Sequence, residues 1–89
     1  MNNEELRAQL VDLHAELQKP EPLDPREREL LQSLIVDIDQ LLQRDRNEPH
    51  HYRTLSERLR EDVAQLEASH PKITLMMRQA IDSLSGLGI

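Results

Sequence analysis

The sequence contains no cysteine, no tryptophan and no phenylalanine, and Tyr52 is its only tyrosine. Without cysteine, a disulfide, a thiolate metal site and a cysteine nucleophile are all excluded. Glycine occurs only at Gly86 and Gly88. No glycine-rich loop is therefore available to hold a phosphate after a strand. None of the serines is expected at the sharp turn between a strand and a helix that exposes a serine nucleophile. We therefore do not expect an enzyme, and we expect no cofactor.

The chain also lacks a long apolar run and a cationic surface. No apolar stretch approaches the ~18–20 residues that cross a bilayer, and the first ten residues, MNNEELRAQL, are too polar for a signal peptide. The formal net charge is −6 and the isoelectric point is near 5.1, which opposes binding to nucleic acid or to an anionic membrane. We expect a soluble cytoplasmic protein.

Leucine supplies most of the material for a core. The 89 residues are enough for one domain spanning 1–89, and sixteen of them are leucine. No segment alternates apolar and polar residues over the length of a strand, so the fold class is all-α. Because small domains bury little surface, a chain of this size gains stability from a well-filled core or from oligomerisation.

The strongest helical signal runs from Asp24 to Arg44. Asp24 is placed to cap the helix, Pro25 occupies its first position, and Glu27 stands where a capping box requires it. The apolar side chains cover an arc about 140° wide, enough to contact two other helices. This stripe consists of Leu30, Leu31, Leu34, Ile35, Ile38, Leu41 and Leu42. We therefore predict a central helix over 25–44.

A first helix is predicted over 3–18, capped by Asn2 or Asn3. Its leucines are spaced 4, 3 and 4 residues apart and form a narrow seam that faces one partner. The seam residues are Leu6, Leu10, Leu13 and Leu17. Packing inside a bundle and pairing in a dimer both fit this seam. Pro20 ends the helix, and the short link to Asp24 places the first two helices antiparallel.

Two further helices are predicted over 54–69 and 72–85. Residues 45–53 contain Pro49 and no apolar periodicity, so we expect a linker there, with Thr54 capping the third helix. A partly helical segment is the alternative, since only Pro49 opposes it. Asp62 lies beside the apolar stripe of that helix and is expected at its solvated edge. The fourth helix carries a second wide stripe that includes Met76 and Met77, and Leu75 lies opposite it as a candidate contact residue.

Histidine and carboxylate pairs offer the only metal-ligating patterns. Glu67 and His70 have the Glu-x-x-His spacing of di-iron bundles, but those sites need a second such pair. His50 and His51 are adjacent in a polar segment, where neighbouring histidines rarely converge on one ion. His14 flanks the first seam as a half-exposed surface histidine. A metal site is therefore an alternative rather than an expectation.

Five segments resemble a small bacterial family known as domain of unknown function 4404. They are NNEELRAQL, LDPRERELLQ, LSERLRE, EASHP and IDSLSGLGI, and they extend over nearly the whole chain. Each is a helix cap or an amphipathic stripe, so the resemblance depends on their order and on the total length. It implies a short, cytoplasmic, all-α bacterial protein. The family implies no activity, ligand or catalytic residue.

The combined prediction is a four-helix, bundle-like fold built from two antiparallel hairpins, 3–44 and 54–85, joined by the linker 45–53. Helices two and four are expected at the centre and helices one and three at the flanks. We expect a non-enzymatic interaction or structural module, as a homodimer or with an unidentified protein partner. An acidic, antitoxin-like binder of a basic protein and a metal-binding protein are the alternatives. The core and interface candidates are Leu6, Leu10, Leu13, Leu17, Leu31, Ile35, Ile38, Leu42, Leu75, Met76 and Met77.

Overall fold

Four α-helices make up the fold, and the computed structural model describes residues 3–19 and 22–87. The helices are α1 (Asn3–Leu17), α2 (Pro25–Gln43), α3 (Pro49–Leu66) and α4 (Pro71–Ser85). The described part of the chain contains no strand, and the all-α class is confirmed. The predicted cap at Asn2, the break at Pro20 and the terminal Gly88 lie outside the described residues.

Proline opens three of the four helices. Pro25, Pro49 and Pro71 each stand in the first turn, where a missing N–H costs nothing because the first amides of a helix have no partner inside it. At α2, the Asp24 Oδ1 accepts a hydrogen bond of 2.8 Å from the Glu27 N–H. The Asp24 N–H donates in return to Glu27 Oε1 at 3.4 Å. The predicted capping box is confirmed.

The linker predicted over 45–53 is too long, because α3 already begins at Pro49, and the partly helical alternative is the one observed. The sequence argument treated Pro49 as a helix breaker, although proline suits the first position of a helix as well as it suits a loop. His51 completes this start, since its Nδ1 accepts a hydrogen bond of 2.9 Å from the Glu48 N–H. Thr54 consequently lies inside α3 and caps nothing.

The helices form a closed ring in which each one packs on two neighbours. α1 contacts α2 and α4, and α3 contacts the same two helices. Hydrogen bonds from side chains establish the relative directions of the helices. Arg7, early in α1, reaches the Leu42 carbonyl at the end of α2 with a hydrogen bond of 2.9 Å, and the Ser83 hydroxyl near the end of α4 donates to Gln9 in α1. Consecutive helices are thus antiparallel in an up-down-up-down bundle.

The prediction that α2 and α4 lie at the centre is wrong. Within the described part of the chain, the backbones of the diagonal pairs, α1 with α3 and α2 with α4, do not approach within 8 Å. The width of the α2 stripe has another cause. Its middle faces the shared interior, and one margin, at Ile35 and Leu42, lies partly buried against the core. A wide stripe therefore marks a helix that buries its flank, not one that occupies the centre.

The interior is built almost entirely from aliphatic side chains, and every helix contributes. Leu10, Ile38, Leu59 and Met77, one from each helix, are all inaccessible to solvent. Among the predicted candidates, those that are buried are Leu6, Leu10, Leu13, Leu17, Leu31, Ile38 and Met77. Those that are partly buried are Ile35, Leu42 and Met76. Leu75, by contrast, is 55% exposed.

Replacing Ile38 by aspartate should unfold the protein. The variant puts an unpaired carboxylate into the centre of the core, at a cost of about 4 kcal/mol or more. A domain of this size has a total stability of only about 5–15 kcal/mol. Thermal unfolding followed by circular dichroism measures the effect. Leu75→Asp is the control, because it introduces the same group at an exposed site and should leave stability within about 0.5 kcal/mol. A well-folded Ile38→Asp protein would contradict the assignment of the core.

Candidate functional site

The most unusual side chain in the bundle is Asp62 on α3. It is 1% exposed, and neither carboxylate oxygen has a hydrogen-bond partner among the described residues. The expectation of a solvated edge position for Asp62 is therefore wrong. Its spacing from Leu55 and Leu59 places it on the buried face of α3, and the packing of α2 against that face closes it off from water.

The surroundings of Asp62 make its ionisation unfavourable. The pKa of this carboxyl is raised to about 6, chiefly by burial; nearby Arg58 lowers it, and Glu61 and Asp37 contribute to the rise. Arg58 also lies close to a second carboxylate, since its Nη1 is 3.6 Å from the Oδ2 of Asp37 on α2. A small cleft of about 250 Å³ opens beside these groups and is also lined by Leu30. The α2–α3 seam thus holds two carboxylates and one guanidinium.

A larger pocket lies at the end of the bundle where α1 starts and α2 ends. It has a volume of about 320 Å³ and its inner wall is formed by core leucines and Tyr52. Three guanidinium groups surround it, those of Arg7, Arg44 and Arg46, together with the single carboxylate of Asp45. In a chain with a net charge of −6, this is a local excess of positive charge.

Hydrogen bonds to the end of α2 shape this pocket. The Asn47 side-chain amide donates to the Leu41 carbonyl at 3.0 Å, and the Arg44 guanidinium donates to the Asn47 Oδ1 at 3.3 Å. With the bond from Arg7 to Leu42, these contacts satisfy carbonyls that the helix end leaves without partners. In the sequence, Arg44 and Arg46 stand at the negative end of α2, where cations are favourable. The sequence contained no signal that Arg7 would join them.

The histidines do not converge on a common site. Glu67 forms an ion pair with Arg78, while the His70 Nε2 lies 3.2 Å from the Glu27 Oε1 at the start of α2. The Glu-x-x-His pair is thus divided between different partners. The His50 and His51 rings contact each other, tilted by 50°, with centroids 4.1 Å apart. In residues 3–19 and 22–87, no group of three or more histidines and carboxylates is arranged to hold a metal ion.

One outer surface of the bundle carries little charge. It spans α1 and α2, and we call it the α1–α2 outer face. Its exposed uncharged residues are Ala8, Val11, Ala15, Gln32, Val36 and Gln43, and Glu4, near the start of α1, is the one charged residue inside the α1 arc. Val11 and Val36 are 48% and 53% exposed. The other exposed large apolar residue in the described chain, Leu75, stands on α4 near the charged groups of Arg78 and Asp82.

Comparison with known proteins places the chain in a family. The family model described as domain of unknown function DUF4404 matches residues 6–89, nearly the whole chain. The protein belongs to the DUF4404 family. No curated protein and no solved structure matches this chain. The resemblance drawn from the sequence segments is thereby confirmed, and it brings no residue roles with it.

For this DUF4404 chain, no helix in the described ranges is long and apolar enough to span a membrane. The hydroxyls that a nucleophile would need are engaged in other contacts. Ser83 donates to Gln9, and the hydroxyls of Ser56 and Ser85 accept from Arg60 at 3.4 and 3.5 Å. The two features that stand out are the Asp62 seam and the arginine-lined pocket.

Asp62 should make the stability of the bundle depend on pH. The raised pKa means that the folded protein holds this proton more tightly than the unfolded chain, whose value is the ordinary 3.8. Stability from this group is therefore greatest below pH 3.8 and falls as the pH rises toward about 6, by roughly 3 kcal/mol in total. Urea unfolding at several pH values, compared between the natural protein and Asp62→Asn, isolates the effect.

The asparagine variant keeps the size of the side chain but cannot ionise. The stability difference between the two proteins should shift in favour of Asp62→Asn between pH 4 and 7. Asp12→Asn is the matched control, because Asp12 is exposed on α1. Parallel curves for the natural protein and Asp62→Asn would show that Asp62 is solvated in solution.

Proposed function

We propose that this protein is a non-enzymatic interaction module that acts as a homodimer, with the second copy packed on the α1–α2 outer face. The low charge of this face is the observation that carries the proposal. Charged residues are depleted from the centres of protein interfaces because they are expensive to desolvate. Nearly a third of this chain is charged, so a face built from alanine, valine and glutamine is a local exception.

Electrostatics favours this face over the other surfaces of the bundle for contact with a second copy. Two chains that each carry a net charge of −6 repel each other, and like charges brought together at an interface add to that cost. The outer surfaces of α3 and α4 carry Glu57, Glu61 and Asp82. The α1–α2 outer face lets two copies approach with the least repulsion. A two-fold interface also needs one self-complementary patch, and an uncharged patch meets that condition.

Helix geometry makes the face continuous. Ala8, Val11 and Ala15 fall within an arc of about 60° on α1, and the three α2 residues fall within about 40°. Both arcs lie on the solvent side of their helices, roughly opposite the buried stripes. Each arc is rotated slightly toward the other helix. Between the two helices, His14 Nε2 lies 3.9 Å from Asp39 Oδ1, and the Gln43 side-chain amide donates to Asp39 Oδ2 at 2.9 Å, so the Asp39 carboxylate beside the face is engaged within one chain.

Val36→Arg should break the dimer. The substitution places two guanidinium groups near each other across the two-fold axis and leaves them poorly solvated. We expect the dissociation constant to rise about tenfold or more, as a cost of ~1.4 kcal/mol requires. Sedimentation velocity over a concentration series measures the change. Leu75→Arg is the matched control, since Leu75 and Val36 are 55% and 53% exposed but lie on different faces.

Two results would contradict the proposal. One is a natural protein that remains monomeric at several hundred micromolar. The other is a dimer that Leu75→Arg weakens and Val36→Arg does not, which would move the interface to α4. Circular dichroism on both variants distinguishes a lost interface from a lost fold.

A further inference from the structure

We propose that the arginine-lined pocket between α1 and the α2–α3 loop binds a small organic acid, a carboxylate carried on an apolar body. This site is independent of the proposed dimer. It lies at the end of the bundle, and it is formed by three separate segments of the chain: α1, the end of α2 and the loop that follows. Its volume of about 320 Å³ lies in the range of about 300–1,000 Å³ that small-molecule sites occupy.

The positive charge around the pocket favours an anionic ligand. Arg7, Arg44 and Arg46 surround it against one carboxylate, Asp45. A guanidinium has five N–H donors. Arg7 and Arg44 use side-chain donors for the carbonyl of Leu42 and for Asn47, and most of their remaining donors stay available. Two parallel N–H groups of a guanidinium match the two oxygens of a carboxylate.

Arg46 is the arginine most available to a ligand. It is exposed, and it makes no hydrogen bond or ion pair with any of the described residues. It is therefore not needed to hold the loop, which Asn47 and Arg44 already attach to α2. A side chain that lines a pocket without a structural contact is free to turn toward a bound anion.

Leu42 and Tyr52 give the pocket an apolar part of its wall that a bare inorganic anion would not contact. Leu6, Leu10 and Leu41 belong to the buried core, and Leu42 and Tyr52 pack partly buried against it. Tyr52 is the only tyrosine of the chain, and its ring offers a flat surface to an aromatic or aliphatic group.

Titration with 2-naphthoate, followed by ¹⁵N–¹H spectra, tests this site. We expect saturable shifts at the amides of Leu42, Arg44, Asn47 and Tyr52. The neutral analogue 2-naphthylmethanol has the same ring system without the charge, and it should bind about tenfold more weakly or worse, because it cannot form the charge-assisted hydrogen bonds of the carboxylate. Inorganic phosphate should bind more weakly than naphthoate, since it makes no contact with the leucines.

Arg46→Gln should weaken naphthoate binding about fivefold or more without changing the unfolding curve. Arg28→Gln makes the same change in charge on an exposed residue near the start of α2, at the opposite end of the bundle, and should leave binding unaltered. The proposal is overturned if no saturable shift appears up to ~10 mM, or if the shifts map away from the pocket. It is also overturned if the alcohol or phosphate binds as well as naphthoate, or if Arg46→Gln binds naphthoate normally.

Discussion

The packing of aliphatic side chains into one interior shared by four helices is the constraint on which the rest of this structure depends. With no phenylalanine or tryptophan, no single side chain fills much of that space. Leu10, Ile38, Leu59 and Met77 approach from four directions and are all fully buried. Interdigitation of many small contacts is the only route to native packing density with such residues. Each helix is therefore held by two neighbours, and none can leave without exposing the others.

This closed core explains where the polar chemistry lies. A carboxylate at the centre would be too expensive, and Asp62 instead lies at the seam between α2 and α3, near Arg58 and Asp37. The arginine-lined pocket occurs at the end of the bundle, where α2 stops and its carbonyls need partners. Both features are by-products of how helices meet or end. Features of this kind can acquire a function without disturbing the interior.

Local signals predicted much of the fold, and their failures have physical causes. The Asp24 cap and the four helices follow from neighbours in sequence, and they are confirmed. Pro49 was misread because proline is equally compatible with a loop and with a first helical turn. Asp62 was misread because burial depends on the helix packed across it, which α3 alone does not reveal. The pocket was missed for the same reason, since Arg7 and Arg46 are far apart in the chain and close only in the bundle.

The central claim is that four helices share one core equally, and native-state hydrogen exchange tests it most directly. The account predicts that the amides of Leu10, Ile38, Leu59 and Met77 open only with global unfolding, and that their exchange free energies agree within about 1 kcal/mol. A bundle with a central pair would behave differently. Slow exchange confined to α2 and α4, with α1 and α3 opening several kcal/mol more easily, would contradict the closed ring.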